Sequence, residues 1–396
     1  MDFDLPPALV SLQQRVRAFV RTEVLPLEGR EHDEEGLPAD LLAPLRARAR
    51  EAGVWAPQLP AGHGGLGLDT VGLCVLFEEA GYSPLGPLAL HCAAPDEGNM
   101  HLLLRAASDE QKERYFAPLA RGDVRSCFAL TEPAPGAGSD PTMLQTRAER
   151  RPGGWVITGR KWFTSGAHGA AFAIVAAVTD PAAGARQGTT LFLVDAGAPG
   201  YRVVREIPTM GAGGPGGHCE VTLGDCFVSD RQVLGRPGEG FKLMQQRLGP
   251  ARLTHCMRWL GAARRALDVA GPYVRQRQGF GKRLAEHQAV AFPLADSLIE
   301  MHASRLMVLQ AAWKLDRGEE ARQETSMCKV FVSEAVGRVV DRCIQACGAL
   351  GFSRDCVLER LYRDVRAFRI YDGPSEVHRM VVARALLRDE GGPGHG

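Results

Sequence analysis

The chain carries almost no net charge: 47 Lys and Arg stand against 46 Asp and Glu, a formal +1 over 396 residues. So weak a field does not favour nucleic acid or an anionic membrane surface as the main partner. Long apolar runs are also lacking. The longest extends only from Ala170 to Val178, far short of the ~18 residues a membrane span needs. The start, Met1-Asp2-Phe3-Asp4-Leu5-Pro6, has no basic stretch ahead of an apolar core, so a secretory leader is not expected. Ten cysteines are present without any Cys-x-x-Cys, which argues against a zinc site or a disulfide framework. Cys343 and Cys347, on one expected helix face, read as small buried hydrophobes. What is there is ordinary: 45% hydrophobic and 23% charged residues, as in globular soluble proteins. A cytoplasmic protein of about two to three domains is expected, with no metal.

The order of patterns is α, then β, then α. Leu9, Leu12, Val16, Phe19 and Val20 form an amphipathic stripe, and Glu31 to Glu35 reads as a solvated turn. Gly62 to Gly67 lacks the Gly-Lys-Ser/Thr ending of a phosphate loop and reads as an ordinary break before a further helix. From Ser126 short β-prone runs follow: 155–158, 172–178, 190–194, 201–204 and 219–223. Between them the glycine-rich 211–217 must be an irregular loop. After Gly240 helical stripes return: Leu260, Ala263, Leu267, Ala270 and Val274; Leu294, Leu298 and Met301; Val332, Val336, Val339 and Cys343. The expected architecture is α+β: an N-terminal helical domain (1–125), a middle β-barrel-like domain (126–238), a C-terminal four-helix bundle (239–390) and a frayed tail (391–396).

Six motifs stand in a fixed order along this plan. They are Thr131-Glu132-Pro133 with Gly138-Ser139-Asp140; Gly159 to Thr164; Val233-Leu234-Gly235 with Gly238 to Phe241; Arg277 to Lys282 with Glu286-His287-Gln288; Gln345 to Phe352; and Arg369 to Glu376. Together they resemble the acyl-CoA dehydrogenase family over nearly the whole chain, including its fold. The resemblance implies FAD-dependent α,β-dehydrogenation of an acyl-CoA thioester to the trans-2-enoyl-CoA, as in fatty acid β-oxidation. A base removes the α-proton, and FAD takes the β-hydride that no side chain can accept. An electron-transfer flavoprotein is the implied acceptor.

Where much of the family has Glu, this chain has Asp372, whose oxygens reach about 1.5 Å less far. The helix position where some members carry a Glu instead holds Ala251. A branch of the family uses Asp here, and Gly98-Asn99-Met100, Gly216 to Glu220, Arg247 to Arg252 and Asp372 to His378 resemble it. That branch is joined in animals to a kinase-like domain, which is not expected in this chain. Asp372 is therefore the expected base. Pro374 disfavours the helical region for Gly373, so the chain is expected to run extended there and then start a helix. The other readings are a flavin oxidase or monooxygenase on the same fold, and a flavin- or acyl-CoA-binding relative without turnover.

Further residues follow from the resemblance. Phe128, Leu130, Thr131, Ser139, Trp162 and Thr164 match the flavin-ring site; Ser139 also matches a CoA contact, in a loop longer than the common form. Arg277, Phe280, His287 and Gln288 match residues at the FAD pyrophosphate and adenine, where a planar guanidinium suits phosphate. Gln345, Gly348 and Ala349 match a stretch that reaches the FAD of a neighbouring subunit, which implies a homodimer or homotetramer. Pro374 and Glu376 replace the usual pair beside the adenosine. Arg252, Tyr371, Gly373 and Arg384 are the remaining substrate-side candidates. His218 and His378 are read as structural.

Overall fold

The computed structural model describes residues 4–30, 36–211 and 214–387. The charge run 31–35 and the tail 391–396 lie outside them. The helices used below are α1 (Pro7–Phe19), α2 (Ala39–Glu51), α3 (Thr70–Ala80), α4 (Asp96–Ala106), α5 (Gly240–Gln276), α6 (Gln288–Asp316), α7 (Arg322–Cys347), α8 (Val357–Arg366) and α9 (Ser375–Leu386). Strands β1 (Ser126–Ala129), β2 (Arg147–Arg151), β3 (Gly154–Ser165), β4 (Phe172–Val178), β5 (Thr189–Asp195), β6 (Tyr201–Glu206), β7 (His218–Ser229) and β8 (Val233–Leu234) fall between α4 and α5. Two short strands, β9 (Gln278–Gly279) and β10 (Lys282–Arg283), follow α5.

By contacts the chain divides into two units. One holds the residues up to Val20, Asp69–Gly86 and everything from Arg252; the other holds Arg21–Leu68 and Pro87–Ala251.

The first unit is helical. α7 packs against α6, α8 and α9, while α3 packs against α1 and α6. The stripe Val332, Val336, Val339 and Cys343 is buried as its spacing predicts. α3 and α5 touch backbone to backbone: a Cβ on Gly261 would stand 2.1 Å from the Glu78 carbonyl oxygen, and one on Gly81 1.9 Å from that of Arg258. Around this crossing Arg17 of α1 and Arg264 of α5 donate to Glu79, and Arg264 and Arg305 of α6 donate to Glu78. Burial alone would raise the Glu79 carboxyl, but the two guanidiniums outweigh it and hold it below its ordinary value. One expectation fails here. Leu298 is 64% exposed, while Met301 of the same stripe is buried as expected and Ser297 is buried beside it.

The second unit is built on one sheet, with hydrogen-bonded order β6-β7-β3-β2-β4-β5-β8 and β1 parallel to β4. β4 is buried on both faces along almost its whole length, which explains why the longest apolar run of the sequence lies there. Ala173, Val175 and Ala177 on one of its faces join Trp155, Ile157, Phe192, Val194, Val221 and Val228 in the core. A buried ion pair anchors the second half of β3: the fully buried Lys161 ammonium donates to Glu132 Oε1 at 2.8 Å and to the Leu130 carbonyl at 3.2 Å. Burial lowers the Lys161 ammonium to about 8 in spite of its partner.

His91 in this unit is also buried. Its ring stacks on Trp55 at 4.6 Å, and Nε2 donates to the Leu119 carbonyl at 2.8 Å. Burial, aided by Arg46, lowers the imidazole from 6.5 to about 3. Its folded value lies below the unfolded one, so as pH falls through 6.5 the unfolded chain binds the proton first and stability is lost. Between pH 6.5 and about 4.5 this group costs about 2 kcal/mol of unfolding free energy. Urea unfolding should show His91→Gln less pH-sensitive than the natural protein by that amount. An equal slope in both would contradict the account.

Candidate active site

Asp372 sits in the turn that feeds α9. A short 3-10 turn, Ala367–Arg369, ends α8, and Pro374 stands extended just before Ser375 starts the next helix. Pro374 favours that start because its fixed φ suits the first positions of a helix. Gly373 departs from the extended form expected of it: it is left-handed, φ +96°, and Asp372 before it is left-handed as well, φ +53°. Aspartate tolerates this region better than most side chains, and glycine without penalty.

Donors fix the turn from below. Arg252 Nε donates to the Asp372 carbonyl at 2.9 Å, and His378 Nε2 faces the same oxygen at 3.2 Å. Lys329, wholly buried in α7, donates to the carbonyls of Phe368 at 2.6 Å and Gly373 at 3.2 Å. Burial lowers its ammonium to about 8, and lowers the His378 imidazole to about 4, so His378 is neutral. His378 Nδ1 meets Ser326 Oγ at 3.2 Å, a structural role as expected. The side chain of Asp372 is 18% exposed, with Oδ2 lying 3.1 Å from His255 Nε2. Tyr371 turns its hydroxyl to Trp259 Nε1, which donates to it, and to His255 Nδ1 at 3.4 Å.

The structure thus brings Arg252, Tyr371, Gly373 and Pro374 together with Asp372. Arg384 is exposed on the last turn of α9, and Glu376 is exposed on its first. Sequence reasoning missed His255, Trp259 and Lys329. A signal for the first two existed: Arg252, His255 and Trp259 recur at helical spacing along one side of α5. Lys329 sits beside an apolar stripe on α7, where only its buried neighbours reveal it.

Within this unit Arg277 to Arg283 form a hairpin, β9 pairing with β10. Phe280 and Gly281 at its tip both have positive φ, +54° and +81°, and Phe280 is 99% exposed. A bulky residue held left-handed is unusual. His287 Nε2 lies 3.1 Å from the Gly279 carbonyl and steadies the hairpin. Gln288 begins α6 and is exposed; Gln345, Gly348 and Ala349 lie exposed at the end of α7, where Gly348 has φ +60°.

In the sheet unit, Phe128 lies on β1 beneath the Arg247 guanidinium, 4.2 Å from the ring centre. The Thr131 carbonyl accepts from the Trp162 backbone N–H at 2.7 Å. A register shift between Lys161 and Thr164 bulges β3 at Trp162-Phe163, a device that re-aims side chains. Trp162 Nε1 and Thr164 Oγ1 are buried yet have no hydrogen-bond partner among the described residues. Buried polar groups are ordinarily satisfied. A donor and a hydroxyl left waiting in this way fit a heterocycle with polar edges, so this part of the chain suits a flavin. Leu130 is half-buried beside them, while Ser139 is exposed in its loop.

The cysteines are free, and among the described residues no His/Cys/Asp/Glu group could hold a metal. Among those residues, too, no helix is long and apolar enough to cross a membrane.

Comparison with known proteins follows the same lines. Sequence models described as acyl-CoA dehydrogenase N-terminal, middle and C-terminal domains match residues 7–123, 127–226 and 238–387. A protein named probable acyl-CoA dehydrogenase FadE2, from Mycobacterium tuberculosis, is 39% identical over 98% of both chains. The solved butyryl-CoA dehydrogenase of Megasphaera elsdenii is 28% identical, with a TM-score of 0.87 over 98% of this chain and 100% of that one. PigA, solved with FAD and proline, is 26% identical, with a TM-score of 0.86 over 98% and 99%. The vertebrate acyl-CoA dehydrogenase family members 10 and 11 also match, but the chain spans only 37% and 50% of the length of two of them. The chain belongs to the acyl-CoA dehydrogenase family, and it is an oxidoreductase of that family's fold.

The Asp372 turn yields a direct prediction. A Cβ on Gly373 would stand 2.8 Å from His378 Nε2 at a φ that side chains rarely adopt. Gly373→Ala should lower stability by about 1–2 kcal/mol and lower the rate at saturating substrate, read by thermal melting and by flavin reduction. A variant unchanged in both would show the turn to be unconstrained.

Proposed function

We propose that this family member removes hydrogen across the α,β bond of an acyl-CoA thioester, with Asp372 as the base and FAD as the hydride acceptor. The observation that carries the reading is the Asp372 carboxylate, partly exposed on a turn whose backbone is fixed by Arg252, His378 and Lys329. When bound, FAD supplies the one thing no side chain offers, an acceptor for hydride. Asp372 takes the α-proton, and its backbone N–H donates to the thioester oxygen as negative charge develops there.

Trp162 and Thr164 hold the flavin ring through the two polar atoms that lack partners within the described chain, and Phe128, Leu130, Thr131 and Ser139 complete that wall. Arg277, Phe280, His287, Gln288, Gln345, Gly348 and Ala349 serve the pyrophosphate and adenosine end, with Pro374 and Glu376 beside it. Arg252, Tyr371, Gly373 and Arg384 face the acyl-CoA side. An electron-transfer flavoprotein would be the acceptor. The three domains divide as 1–125, 126–238 and 239–390, in a cytoplasmic protein of fatty acid β-oxidation.

A homodimer or homotetramer is part of the proposal. On α6, Phe292, Ile299, Leu306 and Trp313 recur every seven residues and are 60%, 66%, 39% and 51% exposed. A heptad stripe is the seam by which one helix packs on another, and its exposure supports burial against a second copy. Charged Ile299→Glu should split the assembly, seen as a fall in mass by sedimentation. A mass unchanged from the natural protein would remove this face from the interface.

The chemistry is tested by anaerobic bleaching of the flavin spectrum with butyryl-, octanoyl- and palmitoyl-CoA. At least one should bleach the natural protein, and Asp372→Asn should slow that reaction about a hundredfold or more. Full rate in Asp372→Asn would end the assignment of the base. Fast reoxidation of the reduced flavin by air would instead favour an oxidase.

A further inference from the structure

The shorter arm of aspartate raises a question of aim. A carboxylate with one methylene fewer reaches a narrower set of positions, so the direction of its two oxygens matters more. In this fold that direction is set by a neighbour on α5. His255 Nε2 lies 3.1 Å from Asp372 Oδ2, and the two side chains are 13% and 18% exposed.

The protonation state of the ring follows from its other nitrogen. Arg258 NH2 lies 3.2 Å from His255 Nδ1, and a guanidinium can only donate. The Tyr371 hydroxyl lies 3.4 Å from the same nitrogen. Trp259 Nε1 can only donate, so the Tyr371 oxygen accepts from it and its own hydrogen is left to point towards Nδ1. Both neighbours therefore make Nδ1 an acceptor. The single ring hydrogen sits on Nε2 and is aimed at the carboxylate. The donors run in one direction: from Trp259 to Tyr371, from Tyr371 to His255, and from His255 to Asp372.

We propose that His255 is a positioning residue for the proton-abstraction step, donating Nε2–H to Asp372 Oδ2 and so fixing where the shorter carboxylate points. The inference rests on the reading of Asp372 as the base. His255 does not take the substrate proton itself, because Nδ1 faces Arg258 and Nε2 already carries its hydrogen. The α-proton goes to the carboxylate, and His255 keeps its own.

The ring is enclosed by groups that act together. Arg258 and Arg252 lie on the same helix, the latter donating to the Asp372 carbonyl. Tyr371 and Asp372 come from the turn, with the Tyr371 ring centre 4.7 Å from that of His255. Lys329 of α7 lies 4.7 Å from the Phe368 ring and 5.6 Å from that of Tyr371. Removing a hydrogen bond donated to a carboxylate disfavours its charged form. Loss of the imidazole should therefore move the acid limb of the rate–pH profile upward as well as lowering the rate.

The test compares His255→Leu, His255→Gln and Asp372→Asn in the FAD-loaded protein, with the same three acyl-CoAs and stopped-flow flavin reduction. His255→Leu should cut the saturating rate about tenfold or more with a small change in KM, and shift the acid limb to higher pH. His255→Gln, whose amide can donate from nearly the same place, should recover most of both. A His255→Leu protein with the natural rate and pH profile overturns the proposal while leaving the base assignment standing, and so does a His255→Gln protein as impaired as His255→Leu. If only Asp372→Asn behaves like the natural protein, the base assignment falls first. An independent readout needs no turnover. Nitrogen-15 NMR of the histidine-labelled protein should show His255, identified by its loss in His255→Gln, as the Nε2–H tautomer. An Nδ1–H tautomer would overturn the inference even if His255→Leu failed to fold.

Discussion

Everything proposed for the chemistry depends on one constraint, the left-handed backbone at Asp372. A non-glycine residue pays roughly 1–2 kcal/mol to stand there. Charge-assisted hydrogen bonds contribute roughly 1.5–3 kcal/mol each, and Arg252 and Lys329 supply such bonds to the carbonyls of Asp372, Phe368 and Gly373. Two of them are enough to offset the strain. The turn is thus held by cations that reach its carbonyls and leave the carboxylate to other partners.

The helical unit uses its buried charge in two ways. At the α3–α5 crossing the arginines meet carboxylates, Glu78 and Glu79, and the result is a clamp across four helices. Beneath the turn, Lys329 meets carbonyl oxygens, which satisfy its hydrogens without neutralising its charge. Its ammonium is pushed down to about 8 by burial, against the pull of Cys256 and Asp372. The near-zero net charge of the chain hides this arrangement completely. Net charge speaks for the distant field, whereas the site is governed by which charges are paired at short range.

Much of this was legible in the sequence, and the reason is apolar patterning. The α7 stripe read correctly because it follows the period of its helix and ends buried, and the β4 run because an unbroken apolar strand is covered on both faces. Leu298 misled because an apolar residue on a helix predicts a covered face but does not say by what. Its side of α6 is bare in the single chain, close to the heptad row from Phe292 to Trp313. Asp372 stood out through the motif around it. His255 did not, since its partner lies more than a hundred residues away and only the fold brings the two within 3.1 Å. The bare, left-handed Phe280 was equally hidden: its identity is in the motif, but its conformation belongs to the hairpin.

The same long-range closure bears on how an aspartate can serve as the proposed base. On the proposed reading the turn supplies the base. Aspartate is the acid that accepts a left-handed backbone most readily, and its short arm loses little rotamer freedom on being fixed. Its cost is reach, and reach is set by direction as much as by length. An imidazole with its hydrogen on Nε2, locked there by Arg258 and Tyr371, gives that direction from a helix rather than from a loop. Sites carried on rigid elements hold their geometry better than sites on loops alone. Charge and aim therefore come from different parts of the chain, the first from the turn and the second from α5.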